Sequence, residues 1–153
     1  MVIVVGPEDK NRAQDAARGL APRVDYRLIA ESFPGATVEE WYPSSAFLRG
    51  TKPSRVARSL SANLRRAMAL MRQLPPDSVI YSTGETWGLP IAFALTLSGA
   101  SHRHVVYVHR VFTANWLALL RALRPVMRVD GWICLTELQR RLLVRTLGSQ
   151  RRR

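Results

Sequence analysis

Three short apolar runs recur in the second half of the sequence, and they restrict the possible fold more than any other feature. They are Val79–Tyr81, Val105–Val108 and Trp132–Leu135. Each run is rich in β-branched or aromatic residues and is followed by a polar group and an amphipathic segment of helix length. Continuous apolar strands that alternate with helices are typical of a parallel sheet covered on both faces. The sequence therefore predicts an α/β fold.

The rest of the chain extends this alternation. The predicted strands are the three apolar runs together with Met1–Gly6, Val24–Ala30 and Thr37–Tyr42, the last two joined by a turn at Phe33–Gly35. The predicted helices are Lys10–Leu20 capped by Asp9, Pro53–Leu74, Gly88–Ser98, Val111–Met127 broken near Pro125, and Glu137–Leu147. We predict a Rossmann-like, doubly wound domain over residues 1–148, with a mainly parallel sheet of at least five strands, and a basic tail or linker over residues 149–153. The residues expected on adjacent central strands are Val4, Ile80, Val106 and Ile133.

The excess of positive charge indicates which kinds of partner the chain could bind. The formal net charge is +12, and 21 of the 23 basic residues are arginine. A field of this strength suits nucleic acids, anionic membrane surfaces or phosphorylated ligands, and does not choose among them. The longest apolar run, Leu89–Leu97, is less than half a membrane span, no signal peptide is recognisable, and the single Cys134 gives no disulfide framework. We expect a cytoplasmic chain that is soluble or attached peripherally to a membrane.

The predicted helix Pro53–Leu74 has the clearest period in the chain. Its apolar face, with spacings of three and four, consists of Val56, Leu60, Leu64, Ala67, Met71 and Leu74. Its opposite face carries Arg55, Arg58, Arg65, Arg66 and Arg72. Seven of the eleven acidic residues precede Trp41, and none lies between Trp41 and Pro76. The arginine face is either an ordinary solvated surface or a docking surface for anionic lipid.

The familiar motifs of α/β enzymes are absent. The sequence contains no G-x-G-x-x-G after the first strand, no G-x-x-x-x-G-K-[ST] and no G-x-S-x-G. Their absence argues against dinucleotide dehydrogenases, P-loop nucleotidases and α/β-hydrolases. His102, His104 and His109 have no carboxylates or thiols at ligand spacing, so the sequence predicts no metal site. We expect these histidines to be solvated or hydrogen-bonded side chains.

Polar residues follow each apolar run, at the strand ends where parallel sheets bind their ligands. They are Ser82–Glu85, His109–Arg110 and Thr136–Glu137. Around Gly84, one reading is a turn of positive φ with Thr83 or Thr86 as the cap of the next helix. The other is a crevice whose backbone amides and Glu85 bind a polyhydroxylated ligand. His109 is either a structural group or a residue that binds ligand oxygens and transfers protons.

Three segments of this region resemble the amino-terminal half of retaining GT-B glycosyltransferases, in particular those like glycosyltransferase family 4. The segments are DSVIYSTGETWGLPIAFALTLSG, RHVVYVHR and DGWICLTELQRRLLVRTLG. They follow one another at about the spacing of the family's corresponding strands and helices. His109 matches the family's histidine near the acceptor and transferred sugar, Thr136 stands where the family usually has serine, and Leu147-Gly148 matches the end of its helix.

The resemblance implies the acceptor-side half of a glycosyltransferase, with a nucleotide-sugar as co-substrate, no further cofactor and no metal. It implies that His109 is catalytic and that the substrate-binding residues are Gly6, Thr83, Gly84, Glu85, Arg110, Thr136 and Glu137. The chain departs from the family in having Gly6-Pro7-Glu8-Asp9 in place of a Gly-Gly loop near the donor diphosphate. The family's donor-binding carboxy-terminal domain has no counterpart in these 153 residues. We therefore expect this half alone to be inactive and to work with a further domain or a partner subunit.

Two other interpretations remain open. One is a stand-alone basic α/β module that binds nucleotides or nucleic acid, and the other is a small enzyme of another doubly wound class. The second would need a nucleophile–base pair, which the sequence does not show. The tryptophans lie in or beside predicted strands and helices, where core roles are expected rather than RNA stacking: Trp41, Trp87, Trp116 and Trp132. For the glycosyltransferase, the expected partners are a sugar or lipid-linked acceptor and an anionic surface at the inner membrane face.

Overall fold

The computed structural model describes residues 1–6, 18–19, 25–41, 53–108 and 114–148. The strands among these residues are β1 (Val2–Val5), β2 (Thr37–Glu40), β3 (Val79–Ser82), β4 (Arg103–Val108) and β5 (Gly131–Cys134). They form one sheet in the order β2-β1-β3-β4-β5, and every neighbouring pair is parallel. The predicted α/β fold with a parallel sheet of at least five strands is confirmed.

The helices among the described residues alternate with these strands. They are α1 (Asp25–Ser32), α2 (Pro53–Gln73), α3 (Glu85–Ser98), α4 (Ala114–Leu123) and α5 (Glu137–Leu147), and a short 3-10 helix at Arg124–Val126 follows α4. α5 matches its predicted bounds, α2 ends one residue before the predicted Leu74, and the predicted break near Pro125 is confirmed by the 3-10 helix. Most of the predicted helix Lys10–Leu20 and the whole predicted tail lie outside the described residues.

The predicted strand Val24–Ala30 is wrong, because its described part, Asp25–Ala30, belongs to α1. Tyr26, Ile29 and Ala30 are spaced by three and four residues, and all three pack on the same core cluster as β1. The side chain of Leu28, between them, is exposed. The apolar residues therefore follow the helical period of 3.6 and not the strand period of two.

α3 begins at Glu85, three residues before the predicted start at Gly88. Gly88 is not needed for a turn but for space, because a Cβ atom at this position would lie 2.8 Å from Cγ1 of Val106. Val106 is fully buried in β4, so the absence of a side chain lets the helix lie directly on the strand. The helix ends as predicted at Gly99, which has a φ of 65°.

Both faces of the sheet are covered by helices. On one face, α2 and α3 pack on β1 and β3 through a core that includes Val4, Met71, Ile80, Ile91 and Leu95. Beside this core, Leu120 of α4 and Leu143 of α5 pack around Val108. On the other face, α1 packs against Ile3 and Val5. This arrangement is the doubly wound one that the sequence predicts.

The two edge strands of the described sheet differ in chemistry. β2 is exposed along its whole length and ends in Glu39 and Glu40. β5 has the sequence GWIC, without a charged residue, and the side chain of Ile133 is 43% exposed. β5 is adjacent to β4 as expected, but the prediction of a central position for Ile133 is wrong among the described residues.

Candidate functional site

The order of the strands predicts a ligand-binding crevice at the carboxyl ends of β1 and β3. From β1 the chain passes to β2 on one side, and then returns to form β3 on the other side of β1. The two connections leave an opening at such a reversal, which is where open α/β sheets bind ligands. Gly6 follows β1, and Thr83 and Gly84 follow β3, so the structure brings these three predicted residues to the same crevice.

Thr83 joins the end of β3 to β1 by hydrogen bonds. Its backbone N–H donates a hydrogen bond to the carbonyl oxygen of Val4 at 2.9 Å, and its hydroxyl lies 3.3 Å from the same oxygen. Of the two predicted capping candidates, Thr83 is therefore not the cap, because its hydroxyl is directed to a neighbouring strand. The side chain of the other candidate, Thr86, lies outside the described residues. Thr83 holds one wall of the crevice in place.

The N-terminus of α3 lies at this end of the sheet. Gly84 is its N-cap residue and makes no side-chain capping hydrogen bond. The φ of Gly84 is 168°, an extended conformation open to any residue, so the predicted turn of positive φ is wrong. The first amides of a helix have no acceptor within the helix and carry partial positive charge. They are donors suited to hydroxyl or phosphate oxygens. Glu85 begins the helix, but its side chain lies outside the described residues.

Two buried indoles pack in the core beside the end of β1. A Cβ atom on Gly6 would lie 3.4 Å from Nε1 of Trp87, so the ring passes directly beside the glycine backbone. Trp87 meets Trp41 edge to face, with ring centroids 6.3 Å apart and an interplanar angle of 84°. Both rings are buried, which confirms their predicted core role. The Arg66 guanidinium lies over Trp41 at 5.4 Å from its centroid.

The position of these two tryptophans beside the candidate site was not predicted. Trp41 directly follows β2, and Trp87 lies in the first turn of α3. Both positions are therefore near carboxyl ends of strands, which is the sequence signal that could have identified them. Trp132 is half-buried in β5, and the side chain of Trp116 lies outside the described residues.

Thr136 and Glu137 have structural partners in the described residues. Thr136 is the N-cap of α5: its hydroxyl accepts a hydrogen bond from the Gln139 backbone N–H at 3.2 Å, and its own N–H donates to Oε1 of Gln139 at 3.2 Å. Glu137 is exposed and pairs with Arg140 at 2.6 Å and Arg141 at 3.0 Å. Hydrogen bonds from Arg140 and Arg141 lower the pKa of Glu137 to about 2. These contacts give both residues a structural role at the start of α5, and their substrate-binding role stays a prediction.

The candidate residues do not form one cluster in the described structure. β5, which precedes Thr136, lies two strand positions from β3, a separation of about 10 Å at the usual strand spacing. β4 lies between them and ends at Val108. His109 and Arg110 directly follow it in the sequence but lie outside the described residues, so their predicted roles stay predictions.

Hydrogen bonds join Ser82 of β3, His104 of β4 and Asp130, which directly precedes β5. Ser82 and His104 are buried, whereas Asp130 is exposed. The Ser82 hydroxyl lies 2.9 Å from Nε2 of His104, and the backbone N–H of His104 donates to Oδ2 of Asp130 at 2.8 Å. Burial of the ring lowers the pKa of His104 to about 4, although the Arg128 backbone and the Asp130 charge act in the opposite direction. The ring is therefore neutral near pH 7.

These three residues do not form a catalytic triad. The Asp130 carboxylate binds the backbone of His104, whereas a triad needs it on the ring. The ring Nδ1 has no hydrogen-bond partner among the described residues. Ser82 and His104 are fully buried, so a substrate cannot reach them. His102 is also buried, with Nε2 3.4 Å from the carbonyl oxygen of Met71, so neither histidine is solvated.

The arginine face of α2 is partly described. Arg65, Arg66 and Arg72 are exposed, whereas the side chains of Arg55 and Arg58 lie outside the described residues. Ala67 and Met71 are buried on the opposite side of the helix, which confirms this part of the apolar stripe. The exposure of these arginines is consistent with either interpretation of the face, an ordinary solvated surface or a docking surface for anionic lipid.

Comparisons with protein-family models, with curated proteins and with solved structures give no match. In the part of the chain that the structure describes, no group of three or more His, Cys, Asp or Glu side chains could hold a metal ion. None of the helices described is both long enough and apolar enough to cross a bilayer.

Proposed function

We propose that this chain is the acceptor-side half of a glycosyltransferase that uses a nucleotide-sugar donor. The crevice at the carboxyl ends of β1 and β3 carries the proposal. It combines the glycine backbone after β1, a loop that Thr83 holds against β1, and an α3 N-terminus whose N-cap residue is a glycine. Amide donors at a helix N-terminus suit a ligand with many hydroxyl groups, because they can bind its oxygens without carrying a full charge.

The chemistry proposed for the complete enzyme is transfer of a sugar to an acceptor hydroxyl. The bond between the anomeric carbon and the nucleotide diphosphate breaks, and a bond from that carbon to the acceptor oxygen forms. The acceptor proton passes to a base, and the nucleotide diphosphate leaves with the bonding electron pair. In this proposal the crevice of the present chain holds the acceptor, and His109 contacts the acceptor or the transferred sugar.

Sugar binding to the crevice can be tested on the chain as it is. Monosaccharides, oligosaccharides and nucleotide-sugars are added to ¹⁵N-labelled protein, and amide shifts are followed. We expect a sugar to shift the amides of Gly6 and of the segment from Thr83 to Trp87. Thr83→Ala should weaken this binding several-fold, because Thr83 holds the loop against β1.

Thr96→Ala is the matched control. Thr96 is also a threonine whose hydroxyl donates to a backbone carbonyl, that of Ala92 at 3.1 Å, but it lies near the opposite end of α3. It should leave sugar binding unchanged. Sugar shifts that are absent from the crevice, or equal losses in both variants, would contradict the proposed site.

Turnover separates the half-enzyme from the alternatives. The 153-residue chain is incubated with nucleotide-sugars and a broad acceptor panel, and released nucleotide diphosphate is measured. We expect no transfer, because the donor-binding part of the proposed enzyme is not in this chain. Robust transfer by the purified chain would refute the half-enzyme proposal. Tight binding of nucleotides or RNA without any sugar binding would favour the stand-alone binding module.

A further inference from the structure

We propose that the free edge of β5 accepts one additional strand from a second, acidic polypeptide. The added segment would be extended, with apolar side chains alternating towards the sheet faces and acidic residues at its ends. The proposal concerns an interaction surface and does not depend on glycosyl transfer. It follows from a difference between the two edges of the sheet.

The β2 edge is protected against further pairing, whereas the β5 edge is not. β2 places two glutamates on a fully exposed strand, and charge on an edge strand discourages pairing with another chain. β5 has neither a charge nor a proline in Gly131–Cys134. Among the described residues it pairs with β4 alone, so its outer side presents backbone donors and acceptors.

Apolar side chains surround this open edge. Ile133, Leu135 and Leu138 are 43%, 55% and 57% exposed, respectively. A cavity of about 260 Å³ lies between β5 and α5, and its apolar lining includes Trp132, Cys134, Leu143, Val144 and Leu147. The charged residues that line it are Asp130 and Arg140. Side chains from an added strand could pack against Ile133 on one face of the sheet and enter the cavity on the other face.

The Trp132 indole gives a further reason to expect contact at this place. Its Nε1 atom is buried and has no hydrogen-bond partner among the described residues. A buried donor without an acceptor is unfavourable. A polar group from an added strand beside β5 could supply the acceptor after a small shift of the ring.

The positive charge around β5 indicates that its partner is acidic. The described residues 114–148, which contain β5 and the helices beside it, carry six arginines and two acids. Arg124 lies near the end of the cavity, with its Nη2 atom 3.3 Å from a Cβ placed on Gly148. A second copy of a chain with net charge +12 would be repelled, whereas acidic ends on the added segment would be attracted. The partner is therefore a different, acidic polypeptide.

The probe for this surface is a displayed library of random twelve-residue peptides. The library is selected for binding to the immobilised full chain. We expect the enriched peptides to alternate apolar residues and to carry Asp or Glu near their ends. Binding of a synthetic enriched peptide should weaken about tenfold in Ile133→Gln, because one apolar contact is lost. Leu97→Gln is the matched control, since Leu97 is 61% exposed and lies near the end of α3, and it should bind as the original chain does.

Two further measurements address geometry and charge. Peptide binding should shift the Trp132 indole ¹H–¹⁵N signal, which is assigned with Trp132→Phe. Replacing the acidic ends of the peptide with lysine should weaken binding at least fivefold at low salt.

Three results would overturn the proposal. They are no enrichment of extended acidic peptides, equal binding to a folded Ile133→Gln variant, and concentration-dependent self-association of the chain that Ile133→Gln abolishes. The last result would assign this edge to a second copy.

Discussion

Acidification below about pH 6 should destabilise this fold through His104. The buried ring has its pKa lowered from 6.5 to about 4, so the folded state resists protonation that the unfolded state accepts. The contribution of His104 to the free energy of unfolding is therefore fully present above about pH 6.5. It decreases as the pH falls towards 4 and changes no further below that pH.

The size of the effect follows from the two proton affinities. A pKa of 6.5 in the unfolded chain and of about 4 in the folded protein corresponds to about 3 kcal/mol, at about 1.4 kcal/mol for each tenfold change in affinity. A typical domain is stable by roughly 5–15 kcal/mol, so this single residue could remove a large part of the total.

The assay compares the original chain with His104→Gln by urea unfolding at several pH values from 7 to 4. Glutamine can keep a hydrogen bond to Ser82 but cannot titrate in this range. We expect the variant to be less stable at pH 7, and we expect its disadvantage to shrink by about 3 kcal/mol by pH 4. All carboxylates are common to both proteins, so the difference isolates His104. A difference in unfolding free energy that stays constant from pH 7 to 4 would refute this reasoning.

Other predictions concern packing, the charged face and catalysis. Gly88→Ala should lower the free energy of unfolding by about 1–3 kcal/mol through overpacking against β4, whereas Gly131→Ala, whose Cβ would make only ordinary contacts, should cost less; equal losses in urea unfolding would contradict this. The chain should sediment with anionic liposomes at low salt, less at high salt, and less after Arg65→Glu with Arg72→Glu; equal binding to neutral vesicles would leave this face as a solvated surface. In the proposed complete enzyme, His109→Ala should reduce kcat by about a hundredfold without unfolding the protein, and unchanged kinetics would give His109 a structural role.

The strands and most helix ends could be predicted because their signals are local. The run Val105–Val108 is long enough in apolar residues to indicate a strand without any knowledge of its neighbours, and Gly99 and Gly148 follow the last residues of their helices. α1 could not be assigned in the same way. It has only eight residues, and over that length the strand and helix periods give few apolar positions to distinguish them.

The contacts that shape the candidate site join residues far apart in the sequence. Ser82 and His104 are 22 residues apart, and Thr83 and Val4 are 79 apart. No local spacing predicts such pairs, because they depend on the order of strands in the sheet. The meeting of Trp41 with Trp87 depends on it as well, whereas the cap made by Thr136 and Gln139 is three residues long and is visible in the sequence.

The hydrogen bonds from Ser82 through His104 to Asp130 also make the alignment of the strands selective. Ser82, His104 and Val106 lie on the same face of the sheet in the observed register. Shifting β4 by one residue would move His104 to the opposite face and separate it from Ser82. Apolar neighbours such as Val105 and Val106 could exchange places at little cost, but a buried imidazole and hydroxyl left without each other could not. Burying His104 therefore disfavours sheets in which β4 is out of register, and so helps to specify the observed alignment of the strands.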